Sequence, residues 1–213
     1  MGERGAERAP SAVRDRRRGQ IVAAGRAIVV AHGLEALTFA ALEQALGFSR
    51  GVVTWHFANK DEVVRAVFDD AVAEIDGAAL AAIRAEASLA DRARAVVREM
   101  VHGWLGGSHA GDVLVRYWSR LRSDDGIARA NQGLFERYRR YSAELVAIGQ
   151  ARGEFRRDVD PDAVGGVLVG TVLGIAAQAM FDPAVDPAPW VVTAGDAIAR
   201  YLQPERAALG EVR

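Results

Sequence analysis

Cysteine is absent from the 213 residues, which excludes a disulfide framework, a zinc-thiolate site and a cysteine nucleophile. Lysine is almost as scarce: Lys60 is the only one among 27 basic residues. Proline occurs six times, so long stretches are free of the residue that breaks helices. Nowhere does hydrophobicity alternate with period two for long, which argues against β-structure. Half the residues are hydrophobic and 26% are charged, a balance that suits globular domains and excludes a disordered or fibrous chain.

Charge is unevenly placed. Residues 1–65 hold ten basic against seven acidic residues, so the basic end of a nearly neutral protein is the amino-terminal one. Arg16, Arg17 and Arg18 precede an apolar run from Ile21 to Ala31, as in a secretory signal, but Arg26 splits the run and no small-residue cleavage site follows. A cytoplasmic location is expected. Ala163 to Phe181 lacks charge, and Gly166, Gly170 and Gly174 repeat a spacing known from membrane helix pairs. Gln178 and Thr171 lie inside it and acids flank it, so a helix packed closely on other helices is expected, with no membrane partner.

Apolar residues recur at three- and four-residue spacing almost throughout, which predicts an all-α protein. Starts are marked by Thr38, Ser49, Asn59 with Glu62, Ser88 with Asp91, Asp124, Asp160 before Pro161 and Asp186 before Pro187; Gly33, Gly47 and Gly153 read as stops. About nine helices result, over 11–33, 39–46, 50–57, 60–87, 89–106, 110–122, 125–152, 161–181 and 187–203, with residues 1–10 and 204–213 as tails.

The segment Leu37 to Val64 carries the clearest motif: an eight-residue helix, a turn containing Gly47 and a second short helix. Phe39, Leu42, Ala45 and Leu46 share one face of the first helix, and Val53 and Phe57 form the burying face of the second. The remaining face presents Arg50, Gly51, Thr54 and Trp55, with Val52 and His56 at its margins. Such pairs occur in many proteins that never touch DNA. A helix of this size also fits a major groove, where its first residues, from Ser49 onward, reach base edges. There Arg50 is placed for guanine or phosphate, Gly51 permits close backbone approach, Val52 meets a thymine methyl, and Thr54, Trp55 and His56 face sugar and phosphate. Lys60 and Thr38 sit at helix starts whose free amides favour an anion.

The string LTFAALEQALGFSRGVVTWHFANKDEVVRAV resembles the DNA-binding domain of the tetracycline-repressor (TetR) family of bacterial transcription regulators, over residues 14–68. The resemblance implies a three-helix DNA-binding head, a fourth helix leading to a larger helical body, a homodimer and a small-molecule inducer. Where Thr54 stands, that family commonly has tyrosine. The division expected is a helix-turn-helix domain over 11–60 and a ligand-binding and dimerisation domain over 61–203.

The body's aromatic stock suggests a cavity for a mostly apolar or aromatic inducer, lined by Met100, Trp104, Tyr117, Trp118, Phe135, Tyr138 and Gln178 and enclosed by helices four to eight. Ordinary core packing explains each ring equally well. The glycine stripe of Gly166, Gly170 and Gly174 is expected at the dimer interface. Glu99 and His102 form one Glu-x-x-His where a di-iron bundle needs two, and no nucleophile stands out, so neither a metal site, a cofactor nor catalysis is expected. The function expected is a repressor that binds double-stranded DNA at a palindromic operator and is released by a small molecule. The rivals are a constitutive regulator without inducer and an all-helical enzyme or carrier.

Overall fold

A computed structural model describes residues 8–107, 109–118 and 125–204. Among these the chain forms nine α-helices and one 3-10 turn, with no strand: α1 (Arg8–His32), the turn Leu34–Ala36, α2 (Phe39–Leu46), α3 (Arg50–His56), α4 (Lys60–Ala85), α5 (Leu89–Leu105), α6 (Ala110–Trp118), α7 (Asp125–Arg152), α8 (Pro161–Phe181) and α9 (Ala188–Leu202). The cap expected at Asp124 and most of both tails lie outside the described residues, though residues 8–10 already belong to α1.

The starts are held as the side-chain chemistry predicts. Thr38 Oγ1 accepts from the Ala41 amide at 3.1 Å, Asn59 Oδ1 from Glu62 at 2.9 Å, Ser88 Oγ from Asp91 at 3.0 Å and Asp160 Oδ1 from Asp162 at 3.0 Å. Ser49 precedes α3 without a side-chain cap bond. Gly47, after α2, adopts φ 66°, a left-handed conformation that costs glycine nothing and turns the chain sharply toward α3; Gly33 and Gly153 share that region.

The chain divides into two compact units, residues 1–73 with 109–127 and residues 74–108 with 128–213. The first holds the helix-turn-helix but extends past residue 60, taking in the first half of α4 and α6. Its core is built from Ile21, Val29, Leu37, Leu42, Val53, Phe57, Val67 and Leu114, each almost fully buried. Val53 and Phe57 are the anchors of α3, whereas Leu42 is the only fully buried member of the face expected on α2; Ala45 is exposed. Burying each aliphatic or aromatic side chain stabilises by about 1.5–3 kcal/mol, which is what holds helices too short to stand alone.

In the second unit α5 packs against α8 and α9. Gly195 of α9 lets its backbone approach Arg94, where a Cβ would lie 3.3 Å from Cα, and Arg94 bonds Asp196 at 2.7 Å across the same junction. The approach of α8 to α7 is closer: a Cβ on Gly165 would stand 2.5 Å from the Arg139 carbonyl oxygen. A Cβ on Gly166, Gly170 or Gly174 meets nothing within 4 Å. α8 is long and apolar enough to cross a membrane by length and composition, and 33% of its most apolar stretch is buried within this one chain.

The connection from α7 to α8 is tied down. Gln150 Nε2 donates to the Arg156 and Val159 carbonyls at 3.0 and 2.8 Å, and Phe155 fills the space that a side chain at Gly149 would need.

Candidate nucleic-acid interface and ligand cavity

α3 is seven residues long, and its inward pair Val53 and Phe57 fixes which side faces out. Arg50, Gly51 and Thr54 are exposed, Val52 and His56 are half-buried, and Trp55 keeps 65% of its surface in solvent. An indole left that open contributes little to the core. The Thr54 hydroxyl donates to the Arg50 and Gly51 carbonyls at 3.0 and 3.3 Å, so its polar atom is engaged along the helix rather than held outward. Ser49 is exposed at the start of α3, and Thr38, also exposed, spends one lone pair on its cap. Lys60 is half-buried in the first turn of α4.

The arginine run on α1 is more ordered than a charge run implies. Arg14, Arg17 and Arg18 lie one turn apart and set their guanidinium groups over the rings of Trp55, Phe48 and Phe57, at 5.2, 4.6 and 4.3 Å from the ring centroids. Each such contact is worth roughly 0.5–1 kcal/mol at an exposed site. They fasten α1 to α3 and the residues flanking it, and concentrate positive charge beside the exposed face. The i, i+3, i+4 spacing of these arginines was the available signal; their aromatic partners lie too far off in sequence to be read. Partial burial first, then the charges of Arg14, Arg18 and Arg17, hold the His56 pKa below its usual value. The imidazole ring meets the Trp55 ring edge to face at 4.6 Å.

The second unit contains a cavity of about 140 Å³. α4 contributes Asp76, Leu80 and Ile83; α5 contributes Val96, Met100 and Trp104; α7 contributes Arg137, Tyr138, Tyr141 and Ser142; α8 closes it with Leu168, Val169, Val172 and Leu173. Of the residues expected to line it, Met100, Trp104 and Tyr138 do. Tyr117 belongs instead to the first unit, buried, with its hydroxyl donating to the Val64 carbonyl. Trp118 is also in that unit, Phe135 is half-buried off the cavity wall, and Gln178 is exposed with Nε2 donating to Gly174 at 3.0 Å. α6 contributes no wall residue, and the volume falls below the 300–1,000 Å³ usual for drug-sized ligands.

Asp76 organises the polar edge of the cavity. Its carboxylate accepts the Tyr138 hydroxyl at 2.7 Å and Arg137 at 2.8 Å. Burial, then the Asp76 charge, pushes the Tyr138 pKa well above the usual phenol range, so Tyr138 stays a neutral donor. Sequence reasoning missed Asp76, Arg137, Tyr141 and Ser142, since a charged or hydroxyl residue on a long helix reads as solvated until its neighbours are known.

Glu99, beside His102, takes the Arg98 guanidinium at 2.6 Å, and no group of three or more metal-ligating side chains occurs among the described residues.

Residues 21–67 match the model of bacterial regulatory proteins, tetR family, and residues 90–203 match that of the BetI-type transcriptional repressor, C-terminal. The chain belongs to the TetR family. Solved structures agree in fold. A TetR-family regulator from Cytophaga hutchinsonii superposes with a TM-score of 0.79 at 17% identity, covering 91% of this chain and 98% of that one. A candidate transcriptional regulator from Saccharomonospora viridis, in complex with choline, gives 0.75 at 17% identity, covering 90% and 100%. A TetR regulator from Chloroflexus aurantiacus J-10-FL gives 0.75 at 21% identity, covering 89% and 96%. No curated protein matches the chain.

Proposed function

We propose that this TetR-family regulator is a cytoplasmic repressor that binds a palindromic operator as a homodimer and leaves it when a small molecule enters the cavity. The observation that carries the DNA reading is the outward face of α3, where Arg50 and a Trp55 that is 65% exposed stand among Arg14, Arg17 and Arg18 with no core to fill. Arg50 at the amino-terminal end reaches a base edge or phosphate, Val52 a thymine methyl, and Lys60, Thr38 and Ser49 the flanking phosphates. The match of residues 90–203 to a repressor-type body favours repression over activation.

A dimer is supported by what α8 and α9 leave uncovered. Val167 is 62% exposed, Val192 65% and Tyr201 54%, and the open side of Gly166, Gly170 and Gly174 admits a second backbone. Two heads on one two-fold axis match half-sites about 34 Å apart, one helical turn of DNA.

Release follows by population shift: a ligand favours whichever spacing of the heads it binds better, and one without such a preference shifts nothing. α4 begins at Lys60 and carries Asp76, Leu80 and Ile83 on the cavity wall, so one helix bears both a DNA-contact candidate and three wall residues. The choline held by the Saccharomonospora viridis protein supports the view that a body of this fold takes a small ligand. A mobility shift on DNA from upstream of the coding region tests the reading. Binding that weakens steeply with salt is expected, and no retardation at any salt concentration would refute it.

A further inference from the structure

We propose that the cavity selects a compact, uncharged, largely apolar molecule carrying one hydroxyl, of the size and kind of benzyl alcohol, and that Ser142 is the residue that recognises the hydroxyl. The inference rests on reading this cavity as the effector site and goes further in naming the chemistry of its occupant.

Three observations converge. The first is size. A space of about 140 Å³ is close to the roughly 150 Å³ apolar cavity that accepts benzene, a size that suits a single ring.

The second is charge. Asp76 is the one acid on the wall and Arg137 the one base, and they are already bonded to each other at 2.8 Å, with Tyr138 taking another carboxylate position at 2.7 Å. A cation entering here finds the carboxylate engaged and a guanidinium beside it. An anion finds Arg137 engaged and the Asp76 carboxylate beside it. Either charge gives up its hydration without an unpaired counter-charge in return, so a neutral ligand is favoured. The rings of Trp104, Tyr138 and Tyr141 therefore act as apolar walls rather than as a cage for an ammonium group.

The third is Ser142. This residue on α7 is 3% exposed, lies on the cavity wall, and its hydroxyl has no hydrogen-bond partner among the described residues. A hydroxyl on the wall of a nearly apolar space finds few groups to bond, and a ligand hydroxyl would supply one, as donor or acceptor.

The test is titration of the full-length protein, without DNA, with four probes: benzyl alcohol, toluene, choline and benzoate, followed by tryptophan fluorescence and thermal shift. Benzyl alcohol should saturate and quench a signal that is lost in Trp104→Phe. Toluene should bind on the order of fivefold more weakly for want of one hydrogen bond, and the two ions more weakly still. Ser142→Ala should erase the preference for the alcohol while leaving toluene affinity unchanged, and Val172→Phe, which fills the space, should abolish both. Tighter binding of choline or benzoate than of benzyl alcohol overturns the proposal. So does an alcohol preference that survives Ser142→Ala, or the absence of saturable binding by all four probes. Should Ser142→Ala fail to fold, the unaltered protein decides alone, since toluene binding as tightly as benzyl alcohol refutes hydroxyl recognition. A protein that binds benzyl alcohol in this way yet holds its operator unchanged upholds the ligand class and refutes the effector role, so the two failures stay distinguishable.

Discussion

The outer faces of α3 and α8 both leave apolar surface uncovered, in opposite electrical settings. On α3 the exposed ring of Trp55 lies under Arg14 and on the same short helix as Arg50. On α8 the open positions are Val167, Gly170 and Gly174, and nothing charged interrupts the helix between Asp162 and Asp182. Apolar surface within a field of positive charge suits a polyanion with flat bases and sugars, whereas apolar surface without charge and without side chains suits another helix. The charges around a bare patch thus say more about its partner than its hydrophobicity does.

The largest effect should come from Gly170→Leu. A Cβ there meets nothing within 4 Å in its own chain, so the fold should persist while the proposed dimer dissociates. Loss of the second head should weaken operator binding about 100-fold or more. Sedimentation velocity beside a mobility shift reads both, and an intact dimer would move the interface off α8. Gly165→Ala probes the inward side of the same helix. Its Cβ would collide with the Arg139 carbonyl, so about 1–3 kcal/mol of stability and roughly 2–10 °C in Tm should go, by calorimetry, with the oligomeric state of the folded fraction unchanged.

On the α3 side, Arg50→Ala should cost about 1–3 kcal/mol at the operator and little on unrelated DNA. Lys60→Ala should weaken all sequences alike and reduce the salt slope by about one. Equal losses on both DNAs for Arg50→Ala would make it a phosphate contact. The smallest effect concerns His56. Its folded pKa lies below the unfolded value of about 6.5, so the unfolded chain takes up a proton first as pH falls, and stability is lost with acidification through that window. His56→Asn should therefore lose less Tm between pH 7 and pH 5 than the unaltered protein. A parallel decline in both would remove His56 as the cause.

Helix starts were legible in the sequence because capping is local: Thr38 with Ala41 and Ser88 with Asp91 involve residues three apart. The 3-10 turn Leu34–Ala36 was not, since three residues show no period. The burying face of α3 could be read because Val53 and Phe57 have no polar competitor on that side. The cavity was legible only in part. Met100 and Trp104 share the apolar stripe of α5, but whether a ring on α6 or α7 turns toward a cavity depends on helices distant in sequence. Tyr117 could not be distinguished from Tyr138 by type or spacing; one hydroxyl meets the Val64 carbonyl and the other Asp76. Gly165 likewise was hidden beside Gly166, one residue away and open where Gly165 is crowded.

Lys60 has a use that does not depend on affinity at all. As the only ε-amine in the chain, at the first turn of α4, it is the single side chain that an amine-reactive label can modify. One reagent therefore marks one side chain, besides the α-amine at the start of the chain, and the extent to which DNA slows acylation of that side chain, read by peptide mass, reports occupancy without a designed tag. The same chemistry run to completion removes the positive charge of that side chain and leaves every arginine untouched, so it separates the contact proposed for Lys60 from those proposed for the guanidinium groups.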